Sequence, residues 1–313
     1  MDRPFSCSGA AVLVWLVVLP VAHPGAAAQS TSVEAQRVRL RMAGFEQMLQ
    51  EDQTLLRVSD RIRRAGKGLC GDKLSPVWGL SVAAPKDLPW AYREPAEKAV
   101  VGREGVFVLA VEPASPAARA GVGPGDVVLA LADRPVRQAV DLGWREDAQR
   151  SGQATFRVRR RGEVRELPVD VEIGCALLPV LEYRDAVNAY ASLNWRQMVV
   201  FTGLLRFVKS DDELALVIGH ELSHVILETG GFRETEADAD YLGAYLAARA
   251  GYDISNALGF WRRLGCETLL VLSPFFTSGH PMPAQRFVAL QETVREIEAK
   301  RARGEALEPK DRQ

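Results

Sequence analysis

"SDDELALVIGHELSHVILETGGFRETEADADYLGAYLAARAGYD", residues 210–253, decides how this chain is read, and HELSH, His220 to His224, lies at its centre. Ser210 followed three residues later by Glu213 has the form of a capping box, so a helix is expected to open there and run to about Glu228. On that helix His220 and His224 leave one face about a turn apart, the placement that two ligands of one tetrahedral ion require. Glu221 sits beside them, within reach of a water attacking at such a centre. The rest of the helix is apolar all round, with Leu214, Leu216, Val217, Ile218, Leu222, Val225 and Ile226, and is predicted to be buried. Buried histidine and glutamate need partners, and a metal supplies them. Coincidence is a poor rival: with 4 histidines and 40 acidic residues in 313, chance yields roughly 0.007 copies of His-acid-x-x-His.

A third ligand must follow. Gly230-Gly231 breaks the helix, and a second helix returning antiparallel would bring a glutamate beside His224, leaving a fourth position open. The sequence offers two acidic pairs of the form ExxxD, Glu234 with Asp238 and Glu236 with Asp240, each on one helical face. A turn through Thr229-Gly230-Gly231 leaves more chain before Glu236 than before Glu234, which favours Glu236.

Working outward, the chain is 47% hydrophobic and 25% charged with a formal net charge of -1, an ordinary globular balance with no global field for nucleic acid. The basic run "FRVRRRGEVRELPVDV" (156–171) alternates around Arg161-Gly162 and reads as a solvated hairpin. Residues 1–28 read as a signal peptide: Arg3, an apolar run from about Gly9 to Ala22, and an A-x-A pattern ending near Ala28. That run is shorter than the ~20 apolar residues that span a bilayer. The mature chain is therefore expected to be exported, periplasmic or extracellular, with an N-terminal membrane anchor as the alternative and no spanning helix in the mature part. Cys70, Cys175 and Cys266 would remain, without CxxC spacing, so cysteine is not the metal ligand.

Residues 32–66 carry Val38, Met42, Phe45, Leu49, Leu56 and Ile62 at helical spacing and read as an amphipathic helix packed on a domain. Residues 77–173 resemble a PDZ domain of the bacterial protease type. "SPAARAGV" would be its short helix, "GDVVLAL" the following strand and "WGLSV" (Trp78 to Val82) its carboxylate-binding loop. Such a groove takes a peptide by strand addition, so a C-terminal peptide ligand is expected. Cys70 and Cys175 flank this segment, and domain termini lie close together, which predicts a Cys70–Cys175 disulfide with Cys266 left as a thiol.

Four segments between residues 177 and 290 resemble the HtpX- and BepA-like family of gluzincin metallopeptidases, which includes the CAAX prenyl proteases. They are HELSH, "EADADYLGAYLAARAGYD", "NAYA" (Asn188 to Ala191) and "GHPMPAQR" (Gly279 to Arg286). The resemblance implies a mainly helical zincin-like domain over 177–301 and an α+β chain overall; residues 302–313 read as a flexible tail. It implies one Zn2+ held by His220, His224 and Glu236, because the family's glycine follows its aspartate by three residues and only Asp240 with Gly243 fits. Asp240 would then orient a histidine, Glu221 would act as general base, and His280 would approach the zinc or stabilise the transition state. The function implied is a zinc endopeptidase of the cell envelope acting on extended or misfolded protein segments laid along the strand at Gln197 to Phe201. The competing expectation is a chaperone-like or scaffold protein with a vestigial zinc site. The family's long insert after HExxH is only a short turn here, which predicts a more open cleft or one covered by the PDZ-like segment.

Overall fold

The computed structural model describes residues 26–99, 105–142, 152–192, 197–227, 236–270 and 284–310; the expected signal segment lies outside them up to residue 25. A 40-residue helix, α1 (Ala26–Ala65), comes first. One stripe of it is buried from its middle onward: Phe45 and Met48, then Leu55, Val58 and Ile62. β1 (Leu74–Pro76) leads into β2 (Leu80–Ala83), α2 (Trp90–Ala99), β3 (Val106–Val111), α3 (Pro116–Arg119), β4 (Val127–Leu131) and the short β5 (Arg134–Pro135). β6 (Gln153–Arg160) and β7 (Glu163–Asp170) form a hairpin turning at Arg161-Gly162. These strands make one sheet in the order β2-β3-β4-β6-β7, with β5 paired to β4.

One face of that sheet closes on Val106, Val108, Val128, Phe156 and Val158 with Trp78 and Ala117. The other face, Phe107, Leu109 and Val127, packs on Phe45 and Met48 of α1 and Ala96 of α2. β8 (Ile173–Cys175) pairs with β1, and Cys70 is disulfide-bonded to Cys175 with their Cα atoms 5.6 Å apart. The buried Arg63 of α1 donates from Nε to the Cys175 carbonyl at 2.9 Å and from Nη1 to Asp60 at 2.9 Å. The two ends of the PDZ-like segment are thus joined covalently just past α1, and Arg63 of α1 holds that base by hydrogen bonds.

β9 (Leu178–Glu182), β10 (Ala189–Ser192) and β11 (Gln197–Phe201) form a second sheet in the order β10-β11-β9. β11 is antiparallel to β10 and parallel to β9, so both its edges are occupied. An extended substrate therefore cannot pair with residues 197–201 as the sequence suggested. β10, which overlaps "NAYA", is the outer strand and packs on the helix that carries HELSH.

Helices complete the chain: α4 (Thr202–Phe207), α5 (Asp211–Leu227), α6 (Glu236–Arg249), α7 (Ile254–Leu270) and α8 (Ala284–Ala302). Leu55, Val58 and Ile62 of α1 enter their core with Leu214, Leu246, Phe260 and Ile297. Residues 303–310, expected as a flexible tail, lie against α6: the Lys310 amide donates to Tyr241 Oη at 3.0 Å, and Arg249 Nη1 to the Leu307 carbonyl at 3.1 Å. Helices and largely antiparallel sheets segregate along the chain, an α+β arrangement with α1 shared by both halves. Among the described residues no helix is long and apolar enough to cross a membrane.

Candidate metal centre

α5 begins as its sequence dictates. Ser210 Oγ accepts from the Glu213 amide at 3.3 Å, and Glu213 reaches back to the Lys209 amide at 2.8 Å. Glu213 is itself buried and held by Arg263 of α7, 2.9 Å from Nη1 to Oε1. At the other end Lys73 donates to the carbonyls of Val225 and Ile226, the last-turn groups a helix leaves open and a cation favours. The helix is gripped at both ends.

α6 crosses α5 backbone to backbone. A Cβ on Gly243 would stand 2.6 Å from the His220 nitrogen and 2.8 Å from its Cα, and one on Gly219 would strike the Gly243 carbonyl. Only paired glycines permit this approach, which gives "IGHE" and "DYLG" a shared physical reason. The close crossing puts the first two turns of α6 against the histidine face of α5.

His220 Nε2 and His224 Nε2 lie 3.1 Å apart. Glu236, the first residue of α6, places Oε2 3.4 Å from His220 Nε2 and Oε1 3.7 Å from His224 Nε2. Ligands about 2.0–2.1 Å from a tetrahedral zinc are separated by about 3.3–3.4 Å, so the three donors sit at ion-binding spacing. Glu221 is 2% exposed on the same helix.

Behind the donors stands a buried support. Asp240 Oδ1 lies 2.9 Å from His220 Nδ1. With Nδ1–H donating to that carboxylate, the Nε2 lone pair is directed at the centre. Arg286, 6% exposed, forks onto Asp240 (Nε to Oδ2 2.7 Å, Nη2 to Oδ1 2.8 Å) and reaches Glu236 Oε2 at 2.9 Å through Nη1. Its guanidinium also lies over the Trp261 ring, 5.5 Å from the centroid, and that indole stands edge-on to His220. One arginine therefore positions a ligand and the carboxylate behind another ligand.

The electrostatics call for a cation. Burial drives the His220 imidazolium down, but hydrogen bonds to Asp240 and Glu236 and the charges of Glu221 and Asp240 outweigh it and push its pKa up to about 9. Without metal, a proton on His220 offsets part of the carboxylate charge. Burial raises the Asp240 carboxyl, and hydrogen bonds from His220 and Arg286 more than reverse this, leaving it lowered.

The structure brings together His220, His224, Glu221, Glu236 and Asp240. Glu234 and His280 lie outside the described residues. Arg286 closes "GHPMPAQR", but nothing in that motif said which carboxylates it would meet. Trp261 had no sequence signal beyond an aromatic on an apolar helix.

Residues 171–232 and 226–294 match the profile of peptidase family M48, and residues 76–171 match that of a PDZ domain. Residues 171–294 are thus similar to an M48 peptidase domain, and the residues before them to a PDZ domain. Among curated proteins the chain is similar to the mitochondrial metalloendopeptidase OMA1 of Arabidopsis thaliana, 33% identical over 25% of this chain and 24% of the relative. The protein of the same name from Schizosaccharomyces pombe is 26% identical, over 34% of this chain and 43% of the relative. The chain thus spans between a quarter and under half of these relatives. Among solved structures, the HtrA3 PDZ domain bound to a phage-derived ligand aligns with 32% of this chain and 88% of its own, at 22% identity and a TM-score of 0.25.

Proposed function

We propose that this protein is a zinc-dependent endopeptidase of the cell envelope that cuts extended or misfolded protein segments, with its PDZ domain holding peptide. The observation that carries the reading is the spacing of His220 Nε2, His224 Nε2 and the Glu236 carboxylate at 3.1, 3.4 and 3.7 Å, with Asp240 and Arg286 behind them. Zinc, when bound, supplies Lewis acidity that lowers the pKa of water toward about 7 and polarises a carbonyl. His220, His224 and Glu236 would hold it, one ion per chain. Glu221 takes the proton of the attacking water and returns it to the leaving amine. Asp240 keeps the His220 proton on Nδ1 throughout. The substrate backbone lies along the outer edge of β10, where strand addition orients it against α5. His280 is proposed to stabilise the transition state. The basic and apolar run at the N-terminus supports export, and export suits the Cys70–Cys175 bond.

The second reading, a chaperone-like or scaffold protein with a vestigial zinc site, has no use for Glu221, which stands beside both histidines. Hydrolysis of casein by the purified protein tests the choice. Cleavage should stop with a zinc chelator, return with added Zn2+, and be absent in Glu221→Gln at unchanged zinc content. Equal cleavage by Glu221→Gln would overturn the assignment.

A further inference from the structure

The sheet of the PDZ domain ends at β2, and the sheet of the peptidase domain ends at β9. Among the described residues neither outer edge has a strand partner. Both strands line the same cavity of about 310 Å³, with one stretch of α1 forming a third wall. Two unpaired strand edges on one cavity are a template for an extended chain. The volume lies at the lower end of ligand pockets and suits a stretch of about three or four residues.

Two acidic groups from α1 give this cavity its chemistry. Asp52 lines it and is 7% exposed; its Oδ2 has no hydrogen-bond partner, while Ser81 of β2 hydrogen-bonds the carboxyl. Burial pushes the Asp52 pKa up to about 6, so at neutral pH a nearly enclosed carboxylate faces the cavity with half its acceptor capacity unused. No cation is paired with it among the described residues. Arg63 makes its hydrogen bonds to Asp60, Ser75, Pro76 and Cys175, and Lys86 only borders the cavity.

The second group, Asp60, is 1% exposed and stands at the loop expected to cradle a ligand's C-terminal carboxylate. Its partners are Arg63 at 2.9 Å and the amide of Gly79, whose dipole points at the carboxylate, although Oδ2 makes no well-formed hydrogen bond. A carboxylate of this chain thus already sits where an incoming one would have to go, and a second would be repelled.

We propose that this cavity is a composite peptide site that takes an internal extended segment laid along β2, with a lysine or arginine side chain paired to Asp52, and not a free C-terminus. The PDZ domain supplies the backbone edge, α1 supplies the charge that selects, and β9 closes the far side. Specificity is set by a residue outside the PDZ domain. On this proposal an internal segment takes the place of the C-terminal peptide ligand expected from "WGLSV", because Asp60 and Arg63 occupy that loop in cis.

This rests on the peptide-binding reading of the PDZ domain but not on hydrolysis, so binding is measured in full-length Glu221→Gln protein. The probes are fluorescein-labelled hexapeptides of alternating valine and threonine carrying lysine, norleucine or glutamate at the centre. Each is made as the C-terminal amide and as the free acid, and binding is read by anisotropy. The lysine amide should bind at least tenfold tighter than the norleucine and glutamate amides, as a desolvated charge-assisted bond would give. Amide and acid should agree within twofold. Adding Asp52→Asn, a substitution of equal shape whose folding is checked by its melting curve, should erase the preference for lysine. A lysine preference that survives Asp52→Asn, or binding that requires the free acid, overturns the inference while leaving a peptide-binding PDZ domain intact. Failure of all six peptides to bind overturns both.

Discussion

Replacing Gly243 by alanine should loosen the metal centre without touching any ligand. The new Cβ would lie 2.6 Å from the His220 nitrogen and 2.8 Å from its Cα, both backbone atoms that cannot rotate away. Carbon contacts relax to about 3.5 Å, so α6 must retreat from α5 by roughly 0.8 Å. Glu236 rides on α6 two turns earlier, and its present 3.4 and 3.7 Å separations from the histidine nitrogens would open to roughly 4.2–4.5 Å. That exceeds the edge of a zinc tetrahedron by about an ångström. Overpacking of this kind costs about 1–3 kcal/mol, or some 3–10 °C in melting temperature for a domain of this size. Zinc binding should weaken at least tenfold in competition with a chromogenic chelator. Gly265, on α7, has open space around its would-be Cβ, so Gly265→Ala serves as the control and should be neutral or slightly stabilising. If Gly243→Ala binds zinc and melts like the parent protein, the argument that the glycine crossing sets the ligand spacing is refuted.

Four further outcomes are expected. Zinc competes with the proton that His220 holds to about pH 9 in the metal-free protein, so apparent zinc affinity should climb about tenfold per pH unit between 6.5 and 9 and then level off; chelator competition across that range checks it. Because the folded-state value lies above the ordinary 6.5, the same group stabilises the metal-free protein fully below 6.5, and that contribution disappears as pH rises through 9, visible as a falling melting temperature under chelator. Asp240→Asn keeps the shape but removes the charge that fixes the His220 proton and engages Arg286, and zinc affinity should drop 10–100-fold by the same titration. Reducing Cys70–Cys175, which closes a separation of 105 residues, should lower stability by about 4 kcal/mol in urea melts with and without reductant.

Much of the centre was legible in the sequence because it is local. The 3.6-residue repeat alone puts His220 over His224, and the apolar surround of that helix forces a buried site. The resemblance, through the family's Asp-x-x-Gly spacing that Asp240 and Gly243 match, likewise favoured Glu236, which lies beside the histidines. Contacts decided by chain far away could not be read so. Residues 197–201 look like a strand free to take a partner, but their edges are taken by β9 and β10, and nothing in "RQMVVF" reports that. The stripe on α1 told that the helix packs, not that Phe45 serves one domain's core and Ile62 the other's. Arg286 was visible only as the last letter of a motif, since its partners lie some 46 and 50 residues earlier in the chain. The tail past Ala302 is charged enough to read as solvated, while its backbone groups and Leu307 find seats on α6.

The Cys70–Cys175 bond also changes what a cut in the chain means. Covalently, residues 71–174 form a ring hung from the rest of the molecule, and the ring contains all the PDZ strands. One peptide bond broken anywhere in that ring opens it but frees nothing: both pieces stay on one molecule, each still held at the base beside Arg63. Only a nick combined with a reductant separates them. In an oxidising compartment rich in other proteases, the PDZ domain could be clipped at an exposed turn such as Arg161-Gly162 and stay attached, and the damage would show on a gel only after thiol treatment.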